Sequence, residues 1–302
     1  MLSQTDGALQ NPSESIRRIQ NDSIRYSYCL TTRNSAKTIN ECLGSIFASS
    51  DPASEVVVVD SMSDDGTSDI LRGCAGRVRL ISVECRRGRG RQIAFEHSNG
   101  QYVIAIDADM ALLPTIRDFL SIYHAKFDGL AFLLIPPATF REHCAPFFVA
   151  PASVIRGVGG WRDMQYAEDF DLWSRLAYAG KFRFTYVDTD AYVRNLEEPM
   201  NWMEAVRANY YHHKWSYVCG CRIPWRSFNV LPLALIAYVS YLSSLKSIPR
   251  FDNPAARRVT GVARGEPFLK RLHHLYNCYV PNSVLGSITS NRSDAELWKE
   301  RL

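Results

Sequence analysis

Asp107 and Asp109 stand one residue apart at the end of the apolar run Tyr102-Val-Ile-Ala-Ile. Alternate residues of an extended chain share a face. If strand geometry persists through Ala108, the two acids point the same way. Such a pair suits a hard divalent cation that also takes phosphate oxygens. Further along, Glu168, Asp169 and Asp171 open a stretch with helical spacing. The helix dipole favours acids there, and a carboxylate at a helix start can also be aimed into a cleft to remove a proton. Between Cys85 and Gln92, Arg86, Arg87, Arg89 and Arg91 are interleaved with Gly88 and Gly90. Guanidiniums with a close-approaching backbone suit a diphosphate. The run lacks the Gly-Lys-Ser/Thr ending of a P-loop, and it is too short to argue for nucleic acid.

These groups need elements to hold them. Tyr102 to Ile106 reads as a strand buried on both faces, as in a parallel sheet. Arg25 to Thr32 reads as a first strand, followed by a helix with the face Ile39, Cys42, Leu43, Ile46 and Phe47. Glu55 to Asp60 is a second buried strand, closed by a carboxylate and by the turn Ser61 to Thr67. Arg77 to Val83 is a third, followed by the arginine run and a helix to about Ser98. The order strand, helix, strand, helix, strand, helix, strand predicts a mostly parallel sheet with helices on both faces. Open sheets of this kind bind ligands at the carboxyl ends of their strands. Thr31-Thr32, Asp60 and Asp107/Asp109 all fall there, with Asp60 able to accept from a base N–H. Beyond lie a helix over Thr115 to Tyr123, strands over Gly129–Ile135, Phe147–Ala150 and Phe182–Val187, the turn Gly157 to Trp161, and a helix over Ala167–Ala179.

The bulk numbers agree with a globular protein. The chain has 302 residues, 46% hydrophobic and 22% charged, room for one large α/β domain or for one domain with an appended helical part. A net charge of +4 is too small to imply nucleic-acid binding. Eight cysteines in a chain this long form no disulfide framework, and Cys29 and Cys42 read as core thiols. Residues 1–24 read as a polar lead-in. With no charged-then-apolar signal at the start, a cytoplasmic location is expected.

The order of motifs resembles that of inverting glycosyltransferases of family 2, with the GT-A fold. Thr31-Thr32-Arg33-Asn34 sits where the family has its first nucleotide loop. Val-Val-Val-Val-Asp60 through Asp65-Gly66-Thr67 is similar to its strand and Asp-Gly-Thr turn. Gly88-Arg89-Gly90-Arg91 through Asp107-Ala108-Asp109 resembles its donor loop, helix and metal motif. Gly159-Gly160-Trp161 with Glu168-Asp169 resembles its acceptor side. The resemblance runs from about Arg25 to Val187. It implies a nucleoside-diphosphate sugar and Mn²⁺ or Mg²⁺. Asp60 would contact the base. Asp107 and Asp109 would serve ribose and metal, and Thr31, Arg33, Asn34, Arg89 and Arg91 the donor. Asp169, next to Glu168, would deprotonate the acceptor hydroxyl. Ser61 stands where many members have a second Asp. Met110-Ala111 replaces the Leu-Gln continuation of dolichyl-phosphate sugar synthases.

A domain boundary is expected near residue 195, with a helical, partly apolar extension over 196–302. Trp202, Tyr210, Tyr211, His212, His213 and Trp215 fall on one helical stretch, and the resemblance makes His212 or His213 a candidate metal ligand. His212 and His213 with Cys219 and Cys221 offer zinc-binding side chains, at a spacing that matches no common zinc motif. Phe228 to Leu245 has no charged residue and falls just short of the ~20 needed to span a bilayer. A buried helix hairpin, an interfacial helix and a true span all fit it; with the arginines and lysines that follow, the reading favoured is contact with an anionic membrane surface, peripheral on the cytoplasmic face, without a full span. The expected activity is therefore metal-dependent sugar transfer to a glycan, lipid or small-molecule hydroxyl. The alternatives are a sugar nucleotidyltransferase, for which the first loop lacks glycines, and an inactive sugar-nucleotide-binding relative.

Overall fold

The computed structural model describes residues 24–135, 146–186, 193–196, 231–245 and 275–281, with single positions between 203 and 214 and at 273, 284 and 285. Seven strands form one sheet, in the order β3-β2-β1-β4-β7-β6-β8. They are β1 (Tyr26–Thr32), β2 (Ser54–Asp60), β3 (Arg79–Ser82), β4 (Tyr102–Asp107), β6 (Ala131–Ile135), β7 (Phe147–Pro151) and β8 (Phe182–Tyr186). The first four run parallel, as the buried Val, Ile and Leu runs predict. Strand β7 enters antiparallel to both β4 and β6, and β8 is parallel to β6. That reversal is not visible in apolar runs that lack alternation.

Helices cover both faces. On one, α1 (Ile39–Ser49) and α4 (Ile116–Lys126) bury Ile39, Leu43, Ile46, Phe119 and Tyr123 against Tyr28, Leu30, Ile104 and Phe132. On the other, α3 (Arg87–Glu96), α5 (Ala152–Gly157) and α6 (Glu168–Tyr178) bury Ile93, Phe95, Ile155, Leu172 and Leu176 against Val57, Val59, Val103 and Leu133. The short α2 (Thr67–Gly73) joins β2 to β3. The sheet grows from β1 outward in both directions, so the crevice between the ends of β1 and β4 is a topological switch point, where such sheets take ligands. Register places Thr31 beside Asp107 and Thr32 beside Asp60. The expected common rim is therefore real.

Two elements lay outside the sequence reading. Strands β5 (Met110–Leu112) and β9 (Val193–Asn195) form an antiparallel ribbon, and the Leu196 N–H donates to the Asp109 carbonyl at 2.7 Å. The ribbon pins the chain just after Asp109. Residues beyond the expected boundary at 195 also complete the main core. Phe184 and Val280 exchange backbone hydrogen bonds with the opposite segment, Phe184 N–H to Cys278 at 2.9 Å and Val280 N–H to Phe184 at 2.8 Å. Cys278, Val280 and Leu285 are buried. Among the described residues beyond 195, those at 278–285 thus pack with the main core. Helix α7 (Leu231–Leu245) leaves Leu235, Tyr238, Val239, Tyr241 and Leu242 exposed. Among the described residues no helix is long and apolar enough to cross a membrane. His212, His213, Cys219 and Cys221 lie outside the described residues.

Candidate active site

Strand β4 stops at Asp107, and Ala108 and Asp109 form a turn. The strand does not persist through Ala108. Burial still alternates, however, with Asp107 and Asp109 partly exposed on either side of buried Ala108.

The centre of the site is Arg91, on α3. Its side chain is 6% exposed. Nη2 donates to Asp107 Oδ1 at 2.7 Å and lies 3.0 Å from Asp169 Oδ2, and Nε lies 3.5 Å from Glu168 Oε1. One guanidinium thus joins the end of β4 to the start of α6. Burial disfavours its charge, but Asp107, Asp169 and Glu168 outweigh that and keep it protonated. Burial likewise opposes ionisation of Asp107, yet Arg91 and Arg87 hold its carboxyl below the ordinary range. Glu168 goes the other way. Burial, then repulsion from Asp169, raises it from 4.5 to about 7 against the pull of Arg91 and Arg87. Trp161 Nε1 donates to Asp169 Oδ1 at 2.9 Å. Pro146, Phe148 and Trp173 close the cleft around Asp107 and Asp169.

Helix geometry corrects the reading of the arginine run. The helix begins at Arg87, inside the run that was expected to be a loop. Arg87 and Arg91 are four apart and share a face; Arg87 lies 3.9 Å from Glu168 and over the Tyr166 ring. Arg89 points elsewhere and pairs with Glu96 at 3.4 Å on the exposed side. The glycines do not serve an open loop either. A Cβ on Gly88 would lie 2.1 Å from the Arg162 carbonyl, and one on Gly90 2.5 Å from Thr31 Cγ2. They allow α3 to pack against β1 and the loop before α6. Thr31 and Thr32 keep buried hydroxyl oxygens with no hydrogen-bond partner among the described residues.

Asp60 is fully buried. Its carboxylate accepts from Ser63 N and Oγ at 3.2 and 2.5 Å, and from Ser68 Oγ. These bonds tie Asp60 to its own turn, as acids in turns commonly are, and leave acceptor capacity on the carboxylate. Asn34, at φ 56, clasps the same loop, its N–H donating to Ser63 Oγ at 2.9 Å and its Oδ1 accepting from Asp64 N at 3.0 Å. Asp65 accepts from Ala36 N at 2.9 Å and Thr67 N at 3.0 Å. The Asp-Gly-Thr turn therefore organises the first loop. Arg33 stands exposed on it.

Sequence reasoning missed a lock at the start of α6. Asp171, on α6, takes Arg175 Nη2 and Nε at 2.6 and 2.9 Å, and Arg175 donates to the Val158 and Gly160 carbonyls at 2.5 and 2.7 Å. The spacing of four between Asp171 and Arg175 was the available signal. No group of three or more His, Cys, Asp or Glu side chains that could hold a metal occurs among the described residues.

Residues 27–132 match the model of Glycosyl transferase family 2. Two poly(ribitol-phosphate) beta-N-acetylglucosaminyltransferases TarS, from Staphylococcus aureus strains Mu50 and MW2, are each 27% identical over 135 residues, covering 39% of this chain and 24% of theirs. The chain thus spans about a quarter of the length of these curated relatives. Among solved structures, mannosyltransferase PcManGT from Pyrobaculum calidifontis, in complex with GDP-Man and Mn²⁺, has a TM-score of 0.54 at 20% identity and covers 77% of each chain. S. aureus TarS 1–349 in complex with UDP-GlcNAc has a TM-score of 0.52 at 18% identity, over 74% of this chain and 72% of that one. The likeness in fold is to GT-A glycosyltransferases.

Proposed function

We propose that this chain, a member of glycosyltransferase family 2 with a GT-A fold, moves a sugar from a nucleoside diphosphate to an acceptor hydroxyl with inversion. The observation that carries the reading is the convergence at Arg91. A carboxylate from the end of β4 and another from the start of α6 meet one buried guanidinium at 2.7 and 3.0 Å. That convergence supports reading the two carboxylates as part of a donor site and as an acceptor-side base in one cleft.

Asp107 and Asp109 fit a Mn²⁺ or Mg²⁺ ion of the kind that takes one or two carboxylates plus phosphate oxygens. When bound, the ion would neutralise charge gathering on the departing diphosphate. Arg91 and Arg87 add fixed positive charge on the same side. Thr31, beside Asp107, offers a free hydroxyl to the donor in the β1/β4 crevice. Asp169 takes the proton of the acceptor hydroxyl as its oxygen bonds to the anomeric carbon and the bond to diphosphate breaks. One displacement from the opposite face inverts that carbon. UDP-GlcNAc and GDP-Man on the two structural neighbours support a nucleotide-sugar donor, and Mn²⁺ on one of them supports a metal.

The acceptor is a glycan, a lipid or a small molecule. The exposed apolar side chains of α7, with the basic residues that follow in sequence, support work at the cytoplasmic face of a membrane. The proposal is tested with Asp169→Asn, which keeps the shape and removes the proton acceptor. Donor binding by calorimetry should persist while transfer falls by about 10²-fold or more. Loss of donor binding instead would place Asp169 in the donor site.

A further inference from the structure

The Asp169 carboxylate is held from two sides, by Arg91 at Oδ2 and by the Trp161 indole N–H at Oδ1. Arg91 divides itself among three acids. Trp161 has one N–H and gives it to Asp169. A buried indole N–H needs an acceptor, so Asp169 could simply be satisfying Trp161. The surroundings point to the reverse dependence.

Trp161 is 4% exposed, whereas the Asp169 side chain is 25% exposed on the cleft. The indole is also fixed by several elements at once. Its backbone N–H donates to Gln92 Oε1 of α3 at 2.8 Å. Its ring meets Phe95 of α3 and Phe148 of β7 edge-on, at 6.2 and 6.1 Å between centroids. Arg175 of α6 grips the Gly160 carbonyl just before it at 2.7 Å. Gly160 takes φ 67, a conformation that side-chain-bearing residues rarely adopt, and a Cβ there would displace Gln92 Oε1, 2.1 Å away. The turn is built around the position of this one ring.

We infer that Trp161 is a positioning residue for sugar transfer: its indole N–H holds the Asp169 carboxylate at the angle from which it accepts the acceptor proton. The inference rests on Asp169 acting as the base. Trp161 touches no reacting atom. A carboxylate free to turn would spend less time in reach of the hydroxyl, and small misplacements are costly in rate.

The test is a double-mutant cycle on the full chain. The readout is nucleoside diphosphate release from UDP-GlcNAc or GDP-mannose with Mn²⁺, water being the acceptor. Trp161→Phe should lower kcat by about tenfold, within the range that misplacement can cost, and leave donor KM unchanged. In an Asp169→Asn background the same change should cost nothing further, because only the base is being positioned. Benzothienylalanine at position 161 keeps the ring shape without the N–H and should behave as Trp161→Phe does. An equal loss from Trp161→Phe in both backgrounds would make Trp161 structural and overturn the inference, as would an unchanged kcat with benzothienylalanine. A wild-type rate in Asp169→Asn itself would remove the base, and with it the inference.

Discussion

Arg91 Nη2 lies 2.7 Å from Asp107 Oδ1, and the same nitrogen is 3.0 Å from Asp169. Removing this cation leaves Glu168 buried and the two aspartates without their shared partner. Breaking a buried pair from one side costs about 3–5 kcal/mol. Arg91→Ala should lower the urea midpoint accordingly and abolish transfer. Arg91→Lys keeps the charge but cannot reach all three acids, so it should retain more stability than activity. Equal stability of Arg91→Ala and wild type would show that the junction contributes nothing net.

Glu168 gives a pH dependence with a definite sign. Its carboxyl is raised from 4.5 to about 7 in the folded chain, chiefly by burial and then by Asp169. The folded state therefore holds this proton more tightly than the unfolded chain. The resulting stability is complete below the unfolded value and is lost as pH rises through the folded one. Glu168→Gln cannot ionise. Thermal melts at pH about 5 and about 8 should show the variant gaining on wild type at the higher pH. A gap that does not change between them would mean that the folded chain already holds Glu168 ionised at both, with no raised carboxyl.

Much of this arrangement was legible in the sequence. The parallel strands β1, β2 and β4 follow from unbroken apolar runs, and Thr31, Asp60 and Asp107 fall on one rim because parallel strands end together. The acidic start of α6 was read correctly as a helix start. What failed has physical reasons. Arg89 and Arg91 look alike in an interleaved run, but once α3 begins at Arg87, helical periodicity sends them to different sides. Gly88 and Gly90 signal close approach in either reading, and only packing reveals that the neighbours are Arg162 and Thr31. The return of Cys278 and Val280 to the edge of β8 is a contact of long sequence separation that no local pattern encodes.

The apolar face of α7 leads to a membrane prediction. Leu235 is 60% exposed, and basic residues follow the helix in sequence. The chain should pellet with anionic vesicles at low salt, and less as salt rises, because exposed charges are screened. Because Cys278, Val280 and Leu285 belong to the core, deleting everything from Phe228 onward would disturb the core as well as remove α7. Substituting Leu235 and Leu242 with Ser is the cleaner comparison. Retention of the full chain in the supernatant at low salt would refute membrane contact.

The central claim is metal-assisted transfer from a nucleoside-diphosphate sugar at the end of β4. The direct measurement is nucleoside diphosphate release across a panel of UDP- and GDP-sugars, with and without Mn²⁺, for wild type and for Asp109→Ala. The account predicts release by wild type that depends on Mn²⁺, and none by a folded Asp109→Ala protein. Full release by Asp109→Ala, or equal release by wild type without the metal, would contradict it.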